Sequence, residues 1–79
     1  MNEVSAISRR YTAIFEPAEE GGYMVTVPAL PGLVTEGDTF EEAKEMALDA
    51  ITCHLQSLLK RNAHIPEEKT VIDRLAVTV

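Results

Sequence analysis

Thr35-Glu36-Gly37-Asp38-Thr39-Phe40-Glu41-Glu42-Ala43 carries the clearest boundary signal in this chain. Thr39 is a favoured helix N-cap, and Glu42, three residues later, completes a capping box. Glu41 and Glu42 in the first turn also suit the positive end of the helix dipole. Just before the cap, Leu33-Val34-Thr35-Glu36 reads as a short strand, so Gly37-Asp38 is the pivot from sheet to helix. The helix is expected from about Phe40 to Arg61. At about 100° per residue, Phe40, Ala43, Ala47, Ala50, Ile51, His54, Leu55 and Leu58 share one face, with Glu42, Glu45, Asp49 and Gln56 opposite. Small Ala43, Ala47 and Ala50 let that face approach a sheet closely. Lys60 and Arg61 suit the last turn, and Asn62 suits the left-handed cap that ends it.

Upstream, Arg9 to Glu16 alternates in period two and predicts a strand. Pro17-Ala18-Glu19-Glu20-Gly21-Gly22 is a turn whose glycines accept positive φ, and Tyr23-Met24-Val25-Thr26-Val27 is the returning strand. Pro28 and Pro31 end it, because proline donates no ladder hydrogen bond. Downstream, His64 to Glu68 is a loop, and a last strand is clearest in Leu75-Ala76-Val77-Thr78-Val79. The expected fold is α+β with element order βββαβ. It has an antiparallel three-strand meander, one long amphipathic helix on one face, and a fourth strand parallel to strand one. Sheet order is then 3-2-1-4. The whole chain, residues 1–79, is expected to be one domain, with residues 1–8 frayed. A single helix leaves the other sheet face bare, so a homo-oligomer, dimer or tetramer, is expected.

Composition narrows the function. Seven Lys and Arg against thirteen Asp and Glu leave a net charge of −6. From Glu16 to Asp49 there are nine acids (Glu16, Glu19, Glu20, Glu36, Asp38, Glu41, Glu42, Glu45, Asp49) and one base, Lys44, so this segment carries −8. Direct binding to nucleic acid is not expected, since phosphate contacts need clustered cations. From charge alone a merely solvated surface is the first reading, with a basic protein partner as the alternative. No apolar run approaches the ~20 residues of a membrane span, and the N-terminus lacks the apolar stretch of a signal peptide. The single cysteine, Cys53, fits a reducing, cytoplasmic setting.

A search for reactive chemistry returns little. Cys53 and His54 are helix neighbours pointing ~100° apart, and His64 lies beyond the helix end, so no metal or cofactor site is expected. Cys53 is expected to be packed and His54 to lie on the apolar face. The βββαβ order matches the first half of an RNase H-like fold, whose nucleases hold Mg²⁺ with a carboxylate at the centre of strand one. Thr12-Ala13-Ile14 occupies that centre here, so catalysis is not expected. Pro28-Ala29-Leu30-Pro31-Gly32 reads as a stiff connection with an exposed leucine, first as a purely structural element and otherwise as one shaping an edge or contact surface.

Taken together, Glu20-Gly21-Gly22-Tyr23-Met24-Val25-Thr26-Val27-Pro28-Ala29-Leu30-Pro31-Gly32 and Thr35-Glu36-Gly37-Asp38-Thr39-Phe40-Glu41-Glu42-Ala43 resemble the signature of HicB-type antitoxins. The likeness runs from about Tyr11 to Pro66; Leu33 stands where many members have cysteine. It implies a truncated RNase H-like domain without nuclease activity that covers the active site of HicA, a small basic mRNA-cleaving toxin. Many members also carry a C-terminal DNA-binding segment, for which this chain is expected to have no room after Val79. With that partner in view, Glu36, Asp38, Glu41, Glu45 and Asp49 are the expected partner-binding residues. The alternative is a stand-alone oligomeric domain of this type with a structural or regulatory role and no toxin partner.

Overall fold

The computed structural model describes residues 9–79, which form β1 (Ile14–Pro17), β2 (Tyr23–Thr26), β3 (Val34–Gly37) and α1 (Phe40–Lys60). The frayed start expected for residues 1–8 lies outside the described residues. The strands make one antiparallel sheet of order β1-β2-β3. Ile14, Thr26 and Val34 stand in one row across it, and Glu16, Met24 and Glu36 in another. An α+β fold with a three-strand meander and one helix is therefore present.

The connections explain the registers. At the first turn the Gly21 N–H donates to the Ala18 carbonyl at 3.0 Å and the Ala18 N–H to the Gly22 carbonyl at 2.9 Å. Gly21, at φ 104°, takes the left-handed position that lets a tight turn join the two strands. After β2 two turns follow in succession, closed by Leu30 N–H to Val27 O at 2.9 Å and Leu33 N–H to Leu30 O at 3.1 Å. Pro28 and Pro31 each take the second turn position, where φ is already suitable. The double turn folds Leu30 inward. It is 2% exposed, so the expected exposed leucine is instead part of the core. Because Val27 enters this turn, residues before Ile14 have no β2 partner. β1 thus begins later than the Arg9 start expected, and Glu16 lies inside it, on the bare face.

Helix packing rests on small residues. Val25, Ala43 and Ala47 form a closed cluster, with Ala13, Phe15 and Tyr23 against it. A Cβ added to Gly37 would stand 2.4 Å from the Ala43 nitrogen and 2.6 Å from its Cα, so helix and β3 touch backbone to backbone. Phe40 stacks on Phe15 at 4.7 Å between centroids and meets Tyr23 edge-on at 5.8 Å. The expected cap is present: the Glu42 N–H donates to Thr39 Oγ1 at 3.0 Å. Glu42 Oε1 accepts from the Asp38 N–H at 2.7 Å, one residue before the cap itself. At the other end Asn62, φ 55°, is left-handed, with Asn62 N–H to Leu59 O at 3.1 Å and Ala63 N–H to Leu58 O at 2.9 Å. Those two bonds are a Schellman closure.

The helix outruns the sheet. Its 21 residues span ~31 Å at ~1.5 Å each, whereas a four-residue strand reaches only ~13 Å. His54 lies on the stripe that faces the sheet but past its end, and is exposed instead of sharing the core. Cys53 is exposed as well, not packed.

No fourth strand pairs with β1 among the described residues, and Val71–Val79 is exposed throughout. The segment before it is held to the chain ahead of β1 by side chains: the Tyr11 hydroxyl donates to the Pro66 carbonyl at 2.5 Å, and the Thr12 N–H and hydroxyl both donate to the Glu68 carboxylate.

Gly37→Ala is expected to lower stability by about 1–3 kcal/mol, the usual cost of overpacking, measured by urea denaturation. The Thr12 hydroxyl and then its N–H hold the Glu68 carboxyl below the usual glutamate range. This contribution is complete above that usual range and is lost as pH falls through the lowered value. Following the Glu68 carboxyl carbon by NMR should show titration below an ordinary glutamate, moving back up in Thr12→Val.

Candidate functional site

The residues with something to offer a partner collect where the β1–β2 turn, the end of β3 and the first turns of α1 converge. An open concavity of about 840 Å³ lies there, lined by Glu20, Glu36, Asp38 and Glu42 together with Tyr23, Met24 and Met46. No lysine or arginine lines it. Each acid arrives for a local reason. Glu20 sits in the turn that Gly21 permits, and Glu36 faces outward because Thr35 on the same strand faces the helix. Asp38 and Glu42 are linked by the capping hydrogen bond, so the helix start itself aims two carboxylates at the concavity. Met24 and Met46 are 45% and 46% exposed, leaving soft apolar surface between the acids.

Of the five residues singled out from sequence, the structure brings Glu36 and Asp38 into this concavity. Glu41, Glu45 and Asp49 are exposed on α1 but do not line it. Glu41 and Glu45, one turn apart, share the outermost stripe, and Asp49 continues the stripe of Glu42 and Met46. Sequence reasoning missed Glu20, Glu42 and the two methionines. The strand register supplies the signal for Met24, which is paired with Glu36 directly across β2 and β3.

The arrangement suits electrostatic and apolar contact. Four carboxylates around two exposed methionines attract lysine or arginine heads and offer their hydrocarbon stems a surface. Among the described residues no group of three or more His, Cys, Asp and Glu side chains could hold a metal ion. None of their helices is long and apolar enough to cross a membrane.

Comparison with known proteins adds a relation. The family profile described as HicB-like antitoxin of bacterial toxin–antitoxin system matches residues 11–78. The chain is 49% identical over 57 residues to Antitoxin HicB 1 of Photorhabdus laumondii, covering 72% of this chain and 37% of that protein. It is 40% identical over 57 residues to Antitoxin HicB of Escherichia coli K12, covering 72% and 41%. A UPF0150 protein of Thermoplasma acidophilum is 44% identical over 59 residues, covering 75% of this chain and 86% of that one. The match thus spans well under half of the two antitoxins named HicB but most of the UPF0150 protein.

Cys53 in the native protein should react fully with a thiol reagent such as DTNB before any denaturant is added. Release of one thiolate equivalent only on unfolding would contradict its exposed position.

Proposed function

The chain belongs to the HicB-like antitoxin family of bacterial toxin–antitoxin systems, and from that premise we propose that it binds and neutralises a small, basic, mRNA-cleaving toxin of the HicA type by covering the toxin's active site. The acidic concavity with its exposed methionines is the observation that supports this reading. A ribonuclease presents cations to its RNA, and a surface of −8 over Glu16 to Asp49 offers those cations a competing partner. Glu36 and Asp38 lie at the centre of the proposed contact, and Glu41, Glu45 and Asp49 extend it along α1.

The role proposed for this chain is non-catalytic. Glu16 does lie within β1, but it faces the bare side of the sheet in a row with Met24 and Glu36 and belongs to a charged surface. No cofactor is needed for such a role. The βββα order is consistent with the truncated RNase H-like scaffold proposed for it. The protein is proposed to act in the cytoplasm as a single domain that assembles with copies of itself, binding the toxin and not nucleic acid directly.

Expression of the small basic protein encoded beside this chain's gene should arrest growth, and coexpression of this chain should restore it. Growth that stays arrested while both proteins accumulate would overturn the proposal. With purified partners, Glu36→Lys combined with Asp38→Lys should slow association about tenfold or more at low salt. It should also flatten the salt dependence, as read by stopped-flow or surface plasmon resonance. Glu41→Lys with Glu45→Lys should have the smaller effect.

A further inference from the structure

We propose that Met24 and Met46 are a pair of oxidation sites, and that oxygen transfer from hydrogen peroxide to their sulfurs releases the basic partner from the acidic concavity. This control rests on the partner reading proposed for that surface and acts on the same residues. Met24 comes from β2 and Met46 from α1, yet both line the one concavity. They are 45% and 46% exposed, so a small oxidant reaches both sulfurs on the folded chain. Neither belongs to the cluster of Val25, Ala43 and Ala47 that holds helix to sheet. The chain has three methionines, and the two that lie within its strands and helix both open onto this surface.

The surroundings favour the chemistry. Met24 stands in a cross-strand row between Glu16 and Glu36, where facing Cβ atoms are ~5 Å apart. Met46 follows Glu42 by one helical turn, the spacing at which side chains meet. In the transfer a sulfur lone pair attacks one peroxide oxygen, the O–O bond breaks, and a proton shift releases water. The sulfur gives up two electrons and the peroxide takes them. Positive charge builds on sulfur as the new bond forms, and carboxylates beside it stabilise that charge. Peroxide is uncharged, so the negative field that repels anionic oxidants does not exclude it.

A sulfoxide changes what the surface can hold. The thioether is a soft apolar seat for the stem of a lysine or arginine. An S=O group is instead a strong dipole that needs a donor once a partner has expelled the water around it. Glu20, Glu36, Asp38 and Glu42 are carboxylates, which accept and do not donate, and Tyr23 is the only lining side chain with a hydroxyl to offer. The partner's cations are already committed to the carboxylates. Each sulfoxide should therefore weaken binding about tenfold, the effect of one buried polar group left without a partner.

The test uses the full chain carrying Cys53→Ser, which removes the exposed thiol as a competitor, and the small basic protein encoded beside its gene. The chain alone is treated with peroxide, freed of it, and mapped by peptide mass spectrometry. One oxygen should be found on Met24 and one on Met46, with the urea midpoint unchanged. By surface plasmon resonance the oxidised chain should bind the basic protein at least about tenfold more weakly. Methionine sulfoxide reductases of both epimer specificities should restore the affinity. Met24→Leu with Met46→Leu, whatever its own affinity, should lose the response to peroxide. Sulfurs that take up oxygen only after urea is added would overturn the proposal, as would equal affinity before and after oxidation. A leucine variant that still responds would place the control elsewhere, and a fall in the urea midpoint would make unfolding the cause; either result rejects it. If the untreated chain does not bind the basic protein at all, the partner reading itself fails, and this control fails with it.

Discussion

The contact of Gly37 with Ala43 is the constraint from which the rest of the structure follows. Backbone meets backbone there, with no space for even a methyl group on Gly37. Such an approach sets the height of α1 above the sheet and brings Ala43 and Ala47 down onto Val25. It also fixes the direction in which the chain leaves β3. Only Asp38 and Thr39 separate strand from helix, so Thr39 must cap at once, and Glu42 must serve both the cap and the concavity. A larger residue at position 37 would lift the helix start and dissolve that convergence. The core is small, and much of its specificity lies in residues with almost no side chain.

Helix placement also divides the molecule electrically. α1 lies mainly over β3 and β2, which gathers the acids of the turn, strand end and helix start at one end of the sheet. On the β1 side the same placement leaves an apolar slot. Charged and apolar surfaces are thereby kept on different flanks of a very small sheet. A steering field works best when the groups that generate it are not neutralised by the protein's own cations, and Lys44, the lone base of the acidic segment, lines the slot on the other flank.

Much of this was legible in the sequence where the signal is local. The meander, the Thr39 cap, the helix ends and the left-handed Asn62 each depend on residues within a few positions of one another. So did the acidic character of the candidate site, although Glu20 and Glu42 gained their importance only from a convergence of three elements. Readings failed where the outcome depended on distance. Leu30 looked exposed because two prolines disfavour a strand, yet two successive turns bury it. His54 and Cys53 were read from helical periodicity alone, which holds no information about where the sheet beneath the helix stops. The fourth strand has a persuasive pattern, but pairing with β1 is a contact across more than fifty positions, and among the described residues it is not made. No periodicity encodes such a contact.

The overhang of α1 has a consequence for motion. The first half of the helix is clamped by the sheet, the aromatic contacts of Phe40 and a well-formed cap. The second half projects past the strands, with Ile51, Leu55 and Leu58 short of full burial and Leu59 exposed. Resistance to local opening should therefore decline along a single continuous helix, from near the global value at Ala43 toward little at Leu59. Its rigid end presents a preformed charged surface, while its far end is steadied from outside the helix, by the bonds that tie Pro66 and Glu68 to Tyr11 and Thr12.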